Sequence, residues 1–388
     1  RANREERIEA ARREWATGYV ADAVDRFVRT PTRHSSGTDH AGVILGDDLA
    51  GFAATVENAV TSEFRGHTVA KTGAWGQGPV LLQTLAILDG YDDADLDPSS
   101  EHGAHLVLES LKLAMADRDA YYGDTDVPLD TLLSADYAAT RRALINDDAS
   151  HEIRPGPIDG RMPYRAADGI ALESDPGDVT MTGEPTISRN GETRGDTCHV
   201  DVVDRWGNIV AITPSGGWLH SSPTVPELGF CLGTRLQMTW LDDDAPSALR
   251  PGARPRTTLS PTLLLRDGAP VAALGTPGGD GQDQWQLLYL LRVLVEGSDP
   301  QDAIDAPAYR TTSMTESFWP RTWTPGGADV EDRLGDDVIA SLRRRGHVLT
   351  CTGPWSQGRL STVTRNPSTG LLTAAANARG RQGYAAGR

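Results

Sequence analysis

The sequence predicts an α+β fold in which antiparallel sheet is covered by helices in layers. Apolar residues recur every three or four positions through much of the first 150 residues, which is typical of amphipathic helices. In the second half the period changes to two, and paired β-rich runs are joined by short turns, as in hairpins. Helices followed by hairpins that alternate with helices favour layers over a doubly wound parallel sheet.

The predicted helices come first along the chain. Three segments with helical spacing are bounded by Gly, Pro or Asp, and they run through Ile8 to Phe27, Gly78 to Leu88 and His105 to Tyr122. A polar segment with few apolar side chains follows, from Asn146 to Arg194, and it predicts a long exposed loop.

Three hairpins are predicted after this loop. Their turns contain residues that favour tight turns, such as Asp267-Gly268. The paired runs are Thr197 to Asp204 with Ile209 to Thr213, Thr262 to Leu265 with Val271 to Leu274, and Leu360 to Thr364 with Leu371 to Ala375. Two further helical segments, Gln284 to Val295 and Val338 to Arg345, lie between the second and third hairpins.

Charge and composition narrow the possible partners. Lys and Arg number 37 against 54 Asp and Glu, a net charge of −17, so the surface repels phosphate backbones and anionic lipids. We therefore expect neither nucleic acid nor a membrane as a partner. The longest apolar stretch, Trp285 to Val295, is about half the length of a bilayer-spanning helix.

The start of the sequence bears on processing and location. The chain begins at Arg1 and continues directly into a charged helical pattern, without an apolar stretch resembling a signal peptide. We expect it to be the remainder of a longer precursor. The compartment is left open, with the cytoplasm slightly favoured.

Metal and cofactor motifs are missing. The sequence has no phosphate-binding loop, dinucleotide fingerprint, Gly-x-Ser-x-Gly or His-Glu-x-x-His motif. His102 and His105 lie about one helical turn apart, but such pairs are more often packed or solvated than ligands. The three cysteines, Cys198, Cys231 and Cys351, have no metal-like spacing. No metal or cofactor is expected.

A threonine at a strand start is the main catalytic candidate. Thr197 directly follows the polar loop, and cleavage of the Asp196–Thr197 bond would give it a free α-amine. An α-amine has a pKa near 8 and can take the proton of the neighbouring hydroxyl, so that the threonine becomes a nucleophile. The alternative is an ordinary β-branched residue in its preferred place.

Two other segments favour the catalytic interpretation. Gly278-Gly279 lies between a predicted strand and a helix, where consecutive glycines can present N–H groups to a negative oxygen. An ordinary glycine turn is about equally plausible there. Arg254-Pro255-Arg256-Thr257-Thr258 places guanidinium and hydroxyl groups before a strand, where they could hold a substrate carboxylate.

In this order, the motifs resemble those of the γ-glutamyltransferase family of N-terminal nucleophile hydrolases. The similarity covers nearly the whole chain and implies a four-layer αββα sandwich that cuts itself before Thr197. The matching residues are Gly76-Gln77-Gly78, Ala116-Asp117-Arg118, Thr197-Cys198-His199, Val202-Val203-Asp204, Gly207-Asn208, Arg254-Pro255, Thr257-Thr258, Pro277-Gly278-Gly279 and Asp305-Ala306-Pro307.

The resemblance also implies roles and products. Thr197 would be the nucleophile with its own amine as base, and Ser215 stands where the family usually has a supporting Thr. Gly278 and Gly279 would form the oxyanion hole, and Thr257 and Thr258 would contact the substrate carboxylate. Residues 1–196 would be part of a large subunit that ends in the processing loop, and residues 197–388 a small subunit that stays associated with it.

Departures from the family pattern change the expected substrate. Gly217 replaces an Asn of the γ-glutamyl enzymes, and Arg235 lies where they bind the substrate α-amine with acidic residues. Arg235 would repel an ammonium group and attract an anion. This variant of the motifs resembles the branch of the family that includes oxamate amidohydrolase and cephalosporin-acylase-like members. The family's Arg-Glu-Thr-Ala-Pro-like motif is missing from this sequence. Either the sequence is a truncated piece, or it is a shortened member in which Arg235, Arg254 or Arg256 binds the anion.

The sequence therefore predicts a self-processing N-terminal-threonine amidohydrolase or acyltransferase. Its partner would be a small anionic amide, which it would cleave through a threonyl acyl-enzyme. Two alternatives remain open: a true γ-glutamyltransferase or glutathione hydrolase, and a truncated, inactive member of the family.

Overall fold

Two compact units make up the chain. The computed structural model describes residues 3–33, 37–166, 170–171, 197–217, 222–318, 321–379 and 383–387. The first unit consists of Arg1–Glu57 and Gly216–Thr234, and the second of Asn58–Ser215 and Arg235–Arg388. Each unit contains residues from before and from after Thr197, so the predicted segments 1–196 and 197–388 do not coincide with the two compact units. The division of the chain at Thr197 stays a prediction.

The described helices and strands are numbered in chain order. The helices are α1 (Arg4–Ala16), α2 (Tyr19–Val28), α3 (Gly46–Gly51), α4 (Pro79–Leu88), α5 (Glu101–Tyr121), α6 (Leu129–Leu132), α7 (Ala135–Arg142), α8 (Gln282–Leu294), α9 (Pro300–Asp305) and α10 (Asp336–Arg344). The strands are β1 (Thr32–Arg33), β2 (Asp39–His40), β3 (Val60–Phe64), β4 (His67–Lys71), β5 (Ile170–Ala171), β6 (Val200–Val203), β7 (Ile209–Ile212), β8 (Thr224–Val225), β9 (Phe230–Cys231), β10 (Thr262–Arg266), β11 (Ala269–Gly275), β12 (Tyr309–Thr311), β13 (Thr322–Trp323), β14 (Gly327–Val330), β15 (Val348–Cys351), β16 (Ser361–Arg365) and β17 (Leu372–Ala376).

The first unit contains α1 to α3 and two short hairpins, β1–β2 and β8–β9. The single helical segment predicted from Ile8 to Phe27 is two helices, because α1 ends at Ala16 and Gly18 precedes α2 in a non-helical conformation. Trp15 stacks on Phe230 with ring centroids 5.8 Å apart, and the Tyr19 hydroxyl donates to the Glu227 carbonyl. These contacts join α1 and α2 to the segment 222–234.

A six-stranded antiparallel sheet organises the second unit. Its order is β17-β16-β11-β10-β4-β3, and all its neighbours are antiparallel. The predicted hairpins β10–β11 and β16–β17 are confirmed. Val69, Leu264 and Leu274 of this sheet are buried in one core with side chains of α4, α5 and α8.

The hairpin β6–β7 forms a second layer on β11 and β16. Its outward side chains, Val200, Val202, Val210 and Ile212, are each between 45 and 50% exposed. Helices, the large sheet and this hairpin are three layers of the predicted αββα sandwich, and the described residues leave the outer face of the hairpin open. No helix in the described part of the chain is long and apolar enough to cross a membrane.

Some elements differ from the sequence-based expectation. β3 and β4 lie in the region predicted as helical, and their turn, Arg65-Gly66, has positive φ at both residues. Hairpin signals are strongest for Asn-Gly and Asp-Gly, so Arg-Gly escapes recognition. The segment predicted as an exposed loop is partly packed, since Gly156 N donates to Asp117 Oδ1 at 2.6 Å and its carbonyl accepts from Tyr121. Residues 172–196 lie outside the described part.

Candidate active site

Thr197 lies three residues before the start of β6, with its side chain beside Ser215. The N–H of Cys198 donates to the Pro214 carbonyl at 3.2 Å, which extends the β6–β7 pairing to this point. The Thr197 hydroxyl donates to the Ser215 hydroxyl at 3.0 Å. The structure thus brings together the candidate nucleophile and the residue expected to support it. Asp196, on the other side of the expected cleavage bond, lies outside the described residues.

A buried histidine network anchors the segment that leads from Thr197 into β6. His199 Nδ1 lies 2.7 Å from Thr213 Oγ1, and its Nε2 lies 2.8 Å from Asp201 Oδ1. The other oxygen of Asp201 accepts a hydrogen bond from Ser361 of β16. The sequence patterns predict no role for His199 or Asp201. Their alternate spacing with Thr197 is the signal that could have found them, because alternate strand residues share a face.

The glycine pair lies at the end of β11, which passes close to this network. A Cβ atom at Gly275 would lie 2.3 Å from His199 Cε1, so β11 contacts the imidazole directly. Gly278 has φ 135° and Gly279 has φ 50°, both in the region that favours glycine. A Cβ atom at Gly278 would also lie 2.1 Å from the Trp285 ring. The pair precedes α8, whose N-terminus favours negative charge.

Arg118 and Asp280 form a buried ion pair beside the glycine pair. Arg118 also donates to the Thr315 carbonyl at 2.8 Å, and Asp280 accepts from the N–H and the hydroxyl of Ser317 at 2.8 and 2.6 Å. Burial alone would raise the pKa of Asp280, but the Arg118 charge and the Ser317 hydrogen bonds hold it below its usual value. Asp280 is therefore a fixed anion that ties the glycine loop to α5.

Thr257 and Thr258 are buried next to the segment 75–77. The N–H of Thr257 donates to the Trp75 carbonyl at 3.1 Å, and its own carbonyl accepts from the N–H of Gln77 at 2.9 Å. The Thr257 hydroxyl accepts from the N–H of Leu259 at 3.1 Å. Contact of this threonine pair with a substrate stays a prediction.

The three candidate anion-binding arginines have different surroundings. Arg254 pairs with Asp124 at 2.7 Å, and the buried Arg256 pairs with Asp119 at 2.8 Å. Both positive charges are thus compensated within the chain, which weakens the expectation that they bind a substrate anion. The Arg235 guanidinium lies 3.2 Å from Met238 Sδ.

Gly217 belongs to the first unit, where its φ is 88°. A Cβ atom at this position would lie 2.5 Å from the Thr234 hydroxyl oxygen. Steric and conformational reasons therefore both favour glycine here. Its contact with a substrate stays a prediction.

His105 pairs with His347 rather than with His102. His105 Nδ1 lies 2.9 Å from His347 Nε2, and Glu109 lies close enough for the three side chains to surround an ion. Glu109, however, already binds Lys112 at 2.6 Å and Arg154 at 3.2 Å. Because these two cations compensate its charge, the cluster is better suited to joining α5 to the residue before β15 than to holding a metal ion.

This histidine pair predicts sensitivity of folding to acid. Burial, together with the charge of Lys112, lowers the pKa of His347 to about 2. An unfolded histidine has a pKa of about 6.5, so below that pH the unfolded state binds the additional proton. The contribution of His347 to stability is therefore present above pH 6.5 and is lost as the pH falls, by up to about 1.4 kcal/mol per pH unit.

Urea denaturation at pH 7.5 and 5.5 tests this expectation. The loss of stability between the two values should be smaller in His347→Gln than in the wild-type protein. The exposed His102 provides the control, since His102→Gln should keep the wild-type pH dependence. Equal losses in all three proteins would contradict the prediction.

Curated relatives resemble most of the chain. The family model described as Gamma-glutamyltranspeptidase matches residues 14–387. A glutathione hydrolase proenzyme of Bacillus subtilis (strain 168) is 28% identical over 354 residues, 90% of this chain and 56% of that protein. An oxamate amidohydrolase proenzyme of Klebsiella pneumoniae is 29% identical over 380 residues, 95% of this chain and 63% of that protein.

Solved structures show the same fold. The structure of LmbA2991HD is 52% identical with a TM-score of 0.90, and the match covers 100% of this chain and 65% of that one. Cephalosporin acylase from Bacillus halodurans is 25% identical with a TM-score of 0.77, over 97% of this chain and 60% of that one. The chain thus spans between about half and two-thirds of the length of these relatives.

The layered α+β fold, with a threonine shortly before the first strand of the β6–β7 hairpin, is that of the N-terminal nucleophile hydrolases. This confirms the fold class predicted from the sequence. The chain belongs to the gamma-glutamyltranspeptidase family.

Proposed function

We propose that this chain carries the catalytic centre of a self-processing N-terminal-threonine amidohydrolase. The observation that supports the proposal most is the 3.0 Å hydrogen bond from the Thr197 hydroxyl to Ser215. It lies in the segment that leads into β6 and that His199 anchors beside β11. The names of the family relatives, which include hydrolases, an amidohydrolase and an acylase, support the same class of reaction.

The proposed reaction proceeds in two steps. After cleavage of the Asp196–Thr197 bond, the α-amine of Thr197 takes the proton of its own hydroxyl while Oγ1 attacks the amide carbonyl. The negative oxygen of the tetrahedral intermediate is stabilised by the N–H groups of Gly278 and Gly279. Its collapse transfers the proton to the leaving amine and forms an acyl ester on Thr197. Water, or an acceptor amine, then attacks this ester and regenerates the threonine.

The sheet topology supports continued association of the two products. β4 comes from residues before Thr197 and β10 from residues after it, yet they are hydrogen-bonded neighbours in the six-stranded sheet. The core likewise combines α4 and α5 with α8. Separating the products would therefore break a sheet and expose a core, at a cost comparable with unfolding the second unit.

For the substrate, we propose a small anionic amide of the oxamate type, with Arg235 as the residue that recognises its carboxylate. A γ-glutamyl substrate presents an ammonium group, which Arg235 would repel. Thr257 and Thr258 are proposed as further contacts of the carboxylate.

Substrate competition tests this assignment. The purified protein should release ammonia from oxamate with a kcat/KM at least about 10-fold above that for amine release from a γ-glutamyl anilide. Arg235→Ala should raise the KM for oxamate about 10- to 100-fold, the effect of losing a charge-assisted hydrogen bond. Arg250→Ala, at an exposed position, should leave KM within about twofold. Rapid turnover of the anilide with none of oxamate would instead support a γ-glutamyltransferase or glutathione hydrolase.

A further inference from the structure

We propose that Gln77 is a positioning residue, which holds the Gly278–Gly279 pair in the conformation that receives the negative oxygen. The inference rests on the function proposed above. Gln77 is completely buried, and its side-chain Nε2 donates to the Gly279 carbonyl at 3.1 Å. Its Oε1 accepts from Arg118 at 3.1 Å, and its backbone N–H donates to the Thr257 carbonyl at 2.9 Å.

The chemistry of Arg118 fixes the orientation of the Gln77 amide. A guanidinium group has only hydrogen-bond donors, so the amide oxygen of Gln77 must face it. The amide NH₂ group must then face the Gly279 carbonyl, which is an acceptor. Arg118 is itself held by Asp280 and by the Thr315 carbonyl. The donor and the acceptor are therefore fixed in each hydrogen bond from Arg118 to Gly279.

The glycine pair needs such a restraint. Glycine has the widest backbone freedom of any residue, and Gly278 and Gly279 both have positive φ. Rotation of one peptide group would turn an N–H away from the reacting oxygen. The peptide that carries the Gly279 N–H is held through the Gly278 carbonyl, which accepts from the N–H of Gly281 at 2.9 Å. Gln77 holds the peptide that follows it through the Gly279 carbonyl, and Arg118 holds the side chain of Asp280. The loop is thus held at consecutive positions before the substrate arrives, as transition-state stabilisation requires.

Gln77 also connects the two halves of the proposed substrate site. Its backbone pairs with Thr257, and its side chain contacts Gly279.

A buried glutamine on α4, Gln83, provides the matched control. Gln83 donates to Asp117 at 2.5 Å, and its oxygen accepts from the Tyr122 hydroxyl at 3.4 Å. Asp117 belongs to α5, and Tyr122 directly follows that helix.

Steady-state kinetics on oxamate, with thermal denaturation of each variant, tests the inference. Gln77→Met keeps the size of the side chain but removes its hydrogen bonds, and kcat should fall about 10- to 100-fold with KM within about twofold. Gln77→Glu keeps the contact with Arg118 but places an oxygen against the Gly279 carbonyl, so kcat should fall by a similar factor. Gln83→Met should lower kcat less than about threefold.

Each outcome decides the inference. A kcat loss in Gln77→Met no larger than that in Gln83→Met overturns it, and so does a loss that appears in KM alone. If both Gln77 variants fail to fold, the residue serves folding rather than positioning, and the inference is overturned. A folded wild-type protein with no amide turnover overturns the proposed function and this inference together. If the wild-type protein is active, the proposed function stands and the variants test the role of Gln77 alone.

Discussion

Replacing Thr197 with Ala will abolish both self-cleavage and amide hydrolysis. The variant lacks the oxygen that attacks the carbonyl in either reaction, and loss of a catalytic nucleophile lowers kcat by at least about 10³-fold. Intact-mass measurement should find Thr197→Ala at 41.6 kDa. The wild-type protein should give two masses, corresponding to residues 1–196 and 197–388.

Thr197→Ser is the matched control for this result. It keeps a hydroxyl beside Ser215 and, after cleavage, an α-amine, so it should retain part of both reactions. Cleavage of Thr197→Ala at the wild-type rate, or amide turnover by it, would exclude Thr197 as the nucleophile. A wild-type chain that stays at 41.6 kDa and behaves like Thr197→Ala would favour the inactive family member instead.

Arg118→Met will cause a large loss of stability. Its guanidinium is completely buried and pairs with Asp280 and Asp119. Asp119 keeps Arg256 as a second partner, but Asp280 would lose its ion pair inside the protein. Breaking a buried ion pair from one side costs about 3–5 kcal/mol, because the remaining charge is left without compensation. Urea denaturation at neutral pH measures this loss.

An exposed ion pair supplies the comparison. Arg161 contacts Asp126 at 2.7 Å, but both side chains are largely exposed, so Arg161→Met should cost less than about 1 kcal/mol. The double variant Arg118→Met/Asp280→Asn should recover part of the loss, because it also removes the unpaired charge. Equal losses in Arg118→Met and Arg161→Met would show that Asp280 does not depend on Arg118.

Local patterns in the sequence predicted most of the fold of the second unit. The two-residue period predicted β6–β7, β10–β11 and β16–β17, and helical spacing predicted α4, α5 and α8. These predictions succeed because one face of each element is buried and the residue pattern records it. The hairpin β3–β4 was missed because Arg65-Gly66 is an unusual turn sequence and Thr61 and Glu63 are polar.

The burial of polar side chains of α5 could not be predicted in the same way. Arg118 and His105 are buried against Asp280 and His347, and these partners lie on distant parts of the chain. No local pattern records such pairings. The same reason explains the missing role of Gln77: the motif Gly76-Gln77-Gly78 was recognised, but only the structure shows that its side chain reaches Gly279. The resemblance suggested Thr197 and Ser215, and the structure places their hydroxyls in contact.

The sheet that both cleavage products would share affects whether the cleaved protein can refold after it unfolds. If the Asp196–Thr197 bond is cut after folding, strands β4 and β10 belong to different molecules, although they still pair. Folding of the uncut chain is unimolecular, but recovery of the cut protein requires two fragments to meet and depends on their concentration. Dilute, denatured enzyme would then recover slowly or not at all. Its working lifetime would be governed by the rate at which it first opens, rather than by an equilibrium between folded and unfolded forms.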